Sequence, residues 1–287
     1  AAGAGATAAG EGAGRARAGP AGRERHHLTE PYPYEGAAWY QQTVDVPEDW
    51  LDGRVTLTFE RARPTTLWVD GERVGSREGL SAPQRYDLTA VLTPGEATLT
   101  VRVDNGAPPL TFAGVQRSHM ATEHTQTNWN GICGDIELAV TDAVWVEDLR
   151  VDPDASADAA TVHITVGNRT DHPASGQLDL RARSLDGVYG APAETVEFTA
   201  AADADADGAT TVTVEYDLGR DPPRWDEFSP TRMGLAVSLV ASAGGDDYTD
   251  GATTTFGLRD VTTDGTQFRV NDRTTFLRGP ADWAVFP

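Results

Sequence analysis

The chain contains no lysine. All 23 of its basic residues are arginine, set against 44 aspartates and glutamates, for a formal net charge of −21. Positive charge this scarce excludes nucleic acid and anionic membranes as partners, because both are bound by neutralising their own negative charge. GC-rich coding, which favours arginine, explains the composition. So does life at high salt, where an acidic surface keeps a protein in solution. The two are compatible and both stay open. Cysteine is almost missing as well: Cys133 is the single one. That excludes an intrachain disulfide and a thiolate metal cluster. Cys133 reads as a small buried residue near a strand start, with no neighbouring base to make it a nucleophile. No run of about 18 apolar residues occurs, so no transmembrane helix is expected. A charged start followed by an apolar stretch, the mark of a signal peptide, is missing at residue 1. Localisation is therefore open between cytoplasm and secretion, and nothing in the composition calls for a cofactor.

What is present points to strands and turns. With 287 residues, 30 glycines and 17 prolines, two or three turn-rich domains are expected. Residues 1–27, "AAGAGATAAGEGAGRARAGPAGRERHH", offer almost no large apolar side chain to offset the entropy of ordering. They are read as disordered, or as the artefact of an out-of-frame GC-rich start. From Leu28 the character changes. "AAWYQQTVDV", "RVTLTFE", "TTLWVDGERVG", "ATLTVRVDN" and "GDIELAV" alternate with period 2 and favour Val, Thr, Leu and aromatics, which predicts strands. Asp70-Gly71 supplies residues able to take positive φ in a tight hairpin, and Pro94-Gly95 marks another turn. Residues 28–141 are expected to form an antiparallel sandwich.

A second series covers 142–257. "AVWVEDLRVDP", "ATVHITVGNRT", "SGQLDLRARS", "ETVEFTA", "ATTVTVEYDL" and "MGLAVSLVAS" recur with the spacing of an immunoglobulin-like sandwich. The acidic tips "DASADAA" and "AADADADG" read as solvated loops. Trp68 and Trp145, alternating with apolar strand residues, are expected in a core or an interface rather than on a ligand platform. Asn168-Arg169-Thr170 fits a glycosylation triplet that is frequent by chance. Residues 258–287 read as a hairpin followed by one more strand.

The order of these motifs is informative. "YEGAAWYQQTVDVPEDW" resembles the opening of the sugar-binding domain of glycoside hydrolase family 2, which includes β-galactosidases, β-glucuronidases and β-mannosidases. "TTLWVDGERVG" is similar to its hairpin, "YDLTAVLTPGEATLTVRVDN" to the strands after it, and "TQTNWNGICGDIEL" to the segment closing that domain. "PPRWDEFSP" resembles a segment late in the second, immunoglobulin-like domain, and "FGLRDVTTDGTQFRVNDRTTFLRG" the linker and first strand of the (β/α)₈ barrel. The resemblance covers 28–287. It implies an all-β chain: a jelly-roll-like sugar-binding β-sandwich, an immunoglobulin-like β-sandwich, and the first strand of a truncated barrel. It also implies the N-terminal, non-catalytic part of a retaining enzyme acting on β-glycosides. The family's catalytic pair is two glutamates on later barrel strands. No position here matches either, so no catalytic residue is assigned, and the missing barrel is the implied partner. Retaining hydrolysis needs two carboxyl groups about 5–5.5 Å apart, and the acidic residues here lie in strand and tip patterns. The alternative is a stand-alone carbohydrate-binding or adhesion module. Against it stands the apolar ending "FLRGPADWAVFP", which a free sandwich would expose.

Sugars are held by amide hydrogen bonds to hydroxyls and by aromatic stacking on C–H faces. "HTQTNWNG" offers that chemistry in Gln126, Asn128, Trp129 and Asn130, and the resemblance implies that this loop approaches the barrel mouth. The competing reading has Asn128 and Asn130 capping a turn while Trp129 packs between domains. By its place after "LRG", Asp282 is implied as a further sugar contact, although Pro280 departs from the family pattern. His119, Glu123 and His124 lack the helical spacing that would gather them on a metal, and no metal is expected.

Overall fold

The structure is a computed structural model, and it describes Tyr34 and residues 36–79, 82–106, 130–203 and 209–279. The chain divides into two compact units between Val140 and Thr141. In the first, seven strands follow one another: β1 (Ala37–Val46), β2 (Arg54–Ala62), β3 (Thr65–Val69), β4 (Glu72–Arg77), β5 (Gln84–Asp87), β6 (Gly95–Asp104) and β7 (Ile132–Thr141). They form two sheets, ordered β1-β6-β3-β4 and β5-β2-β7. Alternation decides the inward face. Val55, Leu57 and Phe59 from one sheet meet Leu67, Val69, Leu99, Val101 and Val103 from the other in a single apolar core. The Asp70-Gly71 turn is as expected, with φ of 50° and 84° and Val69 opposite Glu72.

The second unit begins with β8 (Val144–Asp154), β9 (Ala159–Asn168), β10 (Ala174–Ser184), β11 (Glu194–Ala200), β12 (Thr210–Asp217), β13 (Met233–Ala243) and β14 (Asp246–Phe256). A three-stranded sheet, β12-β9-β8, faces a four-stranded one, β11-β10-β13-β14. This is the immunoglobulin-like division of strands. Ile164, Leu178, Leu180, Tyr216 and Leu235 are among its fully buried side chains. Two carboxylates tie β14 to the start of β8: Val146 N–H donates to Asp250 at 2.8 Å, and Thr249 N–H to Asp142 at 2.7 Å. Asn168 is 0% exposed. Its amide donates to the carbonyls of His172 and Ala201, so the asparagine of the glycosylation triplet is the buried support of a turn.

A three-stranded meander closes the described chain: β15 (Val261–Asp264), β16 (Gln267–Val270) and β17 (Arg273–Thr275). It hangs on the "PPRWDEFSP" segment. Trp225 N–H donates to Leu258 O at 2.8 Å, Asn271 Nδ2 donates to Trp225 O at 3.0 Å, and the Arg259 guanidinium lies 4.5 Å above the Trp225 ring. The expected hairpin, β15–β16, is therefore there, and β17 pairs with it. Residues 276–279 carry no strand, and the positions after them lie outside the described residues. So do 1–33, including the Ala/Gly/Arg-rich start. Trp145 is buried, over Gly167, and opposite in face to Val144. Trp68 alternates with buried Leu67 and Val69 and so lies half-buried on the outward face of its sheet; of its two expected settings, core or interface, it is not in the core.

Candidate functional site

Of the five residues expected to touch sugar, Asn130 is described; Gln126, Asn128, Trp129 and Asp282 lie outside the described residues, as do His119, Glu123 and His124. Asn130 stands where the chain re-enters the first sandwich ahead of β7. Its Nδ2 donates to Gly36 O at 2.9 Å, and its Oδ1 accepts from Gly131 N–H at 2.9 Å. At the exit from β6, Asn105 does the complementary thing. Its Oδ1 accepts from Gly36 N–H at 2.9 Å and its Nδ2 donates to Tyr34 O at 2.7 Å. Gly36 is thus gripped through both its peptide groups by the two asparagines that bracket residues 107–129. Gly36 has φ of 140°, a conformation open to glycine at little cost.

The base under this grip is rigid. The β2–β3 turn bonds both bracketing ends: Arg63 N–H donates to Gly131 O at 3.3 Å, and Asp104 N–H to Pro64 O at 3.0 Å. The Asp104 carboxylate accepts from Gly106 N–H at 2.8 Å and pairs with Arg102. Gln84, itself buried, donates to Ala62 O and Arg63 O from below. Arg63 is 3% exposed, and burial lowers its pKa to about 10, which leaves it charged at neutral pH. Burial raises the neighbouring Cys133 thiol, so the half-buried cysteine stays protonated and unreactive. Gly134 has φ of 77°, and Glu60 Oε2 accepts from Asp135 N–H at 3.0 Å across it.

Asn130 thus makes the backbone hydrogen bonds of the turn-capping reading. Sequence reasoning missed Gly36, Asn105 and Arg63. The "DNG" at 104–106 was a readable turn signal, but pairing it with a residue 25 positions away needed the fold. In the second unit a hollow of about 470 Å³ is lined by Pro153, Trp225, Arg232, Thr255, Phe256, Gly257, Arg259 and Val261. Among the described residues no carboxylate lines it, and those that line it offer no acid and nucleophile pair for glycoside cleavage.

Residues 27–141 match the model of "Glycosyl hydrolases family 2, sugar binding domain". Residues 27–141 are therefore a family 2 sugar-binding domain by sequence. Similar proteins include a β-glucuronidase of Paenibacillus borealis, 24% identical over 85% of this chain and 40% of the relative. A β-galactosidase of Alteromonas mediterranea is 25% identical over 84% of this chain and 22% of its own length. Among solved structures, a Bacteroides uniformis β-glucuronidase superposes with a TM-score of 0.69 at 20% identity, over 86% of this chain and 29% of the other. The chain spans less than half the length of these relatives.

Proposed function

We propose that this chain is the N-terminal, non-catalytic part of a retaining family 2 glycoside hydrolase acting on β-glycosides, and that its first sandwich helps shape the carbohydrate pocket. In this reading its domains are 28–141, 142–257 and a linker from 258 into a (β/α)₈ barrel, and the barrel supplies the acid and the nucleophile. Of the residues expected at the sugar, Gln126, Asn128, Trp129 and Asp282 contact it from the rim, and Asn130, its amide bonded to Gly36 O and Gly131 N–H, anchors the end of the segment that carries the first three. The support is the coverage: nearly all of this chain aligns with a minor share of enzymes that act on β-glucuronides and β-galactosides by name. The grip on Gly36 adds a physical reason, because it fixes both ends of the segment that carries the amide and aromatic side chains.

The test is turnover of nitrophenyl β-D-glucuronide and β-D-galactoside by the purified 287-residue chain. The expected result is no release above the buffer blank; release that follows chain concentration and saturates overturns the reading. In the barrel-containing protein, Trp129→Ala raises KM by about tenfold or more, as expected for loss of a stacking contact.

A further inference from the structure

The outward face of the β1-β6-β3-β4 sheet carries an array that the pocket does not use. Two rows of residues cross it. One runs Trp39, Arg102, Thr66, Ser76; the next runs Gln41, Thr100, Trp68, Arg73. Four strands at about 4.8 Å spacing make this field about 14 Å wide, the span of a short run of sugar rings. Trp39 is 43% exposed, on a strand whose neighbours Tyr40 and Val44 pack inward. Its ring centroid lies 5.2 Å from that of Trp68, with the planes tilted by 34°. Two indoles side by side on a solvent-facing sheet leave apolar area uncovered, which usually marks a contact surface.

The margins of the indole pair are polar and partly fixed in advance. Gln41 Nε2 donates to Thr100 Oγ1 at 3.1 Å, Thr66 and Ser76 hydroxyls are 2.9 Å apart, and Arg73 Nη2 donates to Ser76 Oγ at 2.8 Å. The charged side chains in the two rows are both arginines. Arg102 is paired with Asp104, whereas Arg73 has a hydroxyl and no carboxylate as its partner among the described residues. In a chain of net charge −21, an arginine without a counter-charge beside an open aromatic pair is complementary to an anion attached to an apolar-faced ring.

We propose that this face binds a glycan chain containing uronic acid. Pyranose C–H faces lie on Trp39 and Trp68, hydroxyls bond to Gln41 and Thr100, and a sugar carboxylate pairs with Arg73. The surface differs from the rim residues of the proposed pocket, and the proposal stands or falls independently of that reading.

The test is calorimetric titration of the full 287-residue chain with trigalacturonate and with neutral galactotriose, at low and at high sodium chloride. Trigalacturonate is expected to bind more tightly than galactotriose, with the preference shrinking in salt. Trp39→Ala, an exposed position that leaves the core untouched, is expected to weaken binding by about tenfold or more. Arg73→Gln is expected to abolish the preference for the acid while keeping residual binding of both. Absence of binding, or binding indifferent to Trp39→Ala, overturns the proposal. So does a concentration-dependent dimer in sedimentation that Trp39→Ala dissolves, since a second copy would then cover the face.

Discussion

At the scale of single residues, Gly36 shows how an ordinary turn becomes a fixed point. A net contribution of about 1 kcal/mol is typical of one such hydrogen bond, and an orphaned buried partner costs more. Asn105→Ala removes the bonds to Gly36 N–H and to Tyr34 O. It is expected to destabilise the chain by about 1–3 kcal/mol in urea unfolding followed by tryptophan fluorescence. Asn105→Asp, which keeps the acceptor toward Gly36 N–H, should recover part of that loss. The glycine, the two asparagines and the β2–β3 turn are each readable as turn chemistry. Their convergence was not, because the bonds join positions 36, 105 and 130.

At the scale of elements, alternation was the legible signal. Leu57 and Phe59, or Leu178 and Leu180, declare their inward faces by spacing alone, and the structure agrees. The same parity puts Trp68 on the outside, between Leu67 and Val69, which take the inside; spacing alone did not choose between the core and the interface expected for it. Pairing between elements was less visible. The carboxylates that clasp β14 to β8 are of that kind. Burial raises the Asp250 carboxyl above the usual range, against the hydrogen bonds from Val146 and Gly251 N–H that favour its charged form; nearby Asp142 adds to the rise. A raised folded pKa means that the folded state holds this proton more tightly than the unfolded one. Its stabilising contribution is present below the unfolded pKa and is lost as pH climbs through the folded value. Asp250→Asn keeps an acceptor for Val146 and drops the charge. Its melting temperature is expected to exceed the parent's at neutral pH and to converge on it in mild acid. A constant gap across that range in scanning calorimetry would contradict the assignment.

At the scale of the whole molecule, charge dominates. The 44 acidic side chains face 23 arginines, and many of the ion pairs that do form, such as Arg150–Asp152 and Arg220–Asp221, are well exposed. Exposed pairs of that kind contribute little, so repulsion among the unmatched carboxylates is the larger effect, and salt screens it. The melting temperature is expected to rise between low and molar sodium chloride. A flat or falling trend would favour GC-rich coding over salt adaptation as the source of the composition.

The double hold on Gly36 has an implication for how such a protein can change. A long excursion whose two roots are stapled to one spot adds little closure entropy as it lengthens, since that cost grows only with the logarithm of length. Residues 107–129 can therefore be rewritten, shortened or swapped between relatives while the layers beneath keep their register. In the sugar-contacting role proposed for this segment, selectivity toward a new sugar evolves there without a fresh solution to the folding problem.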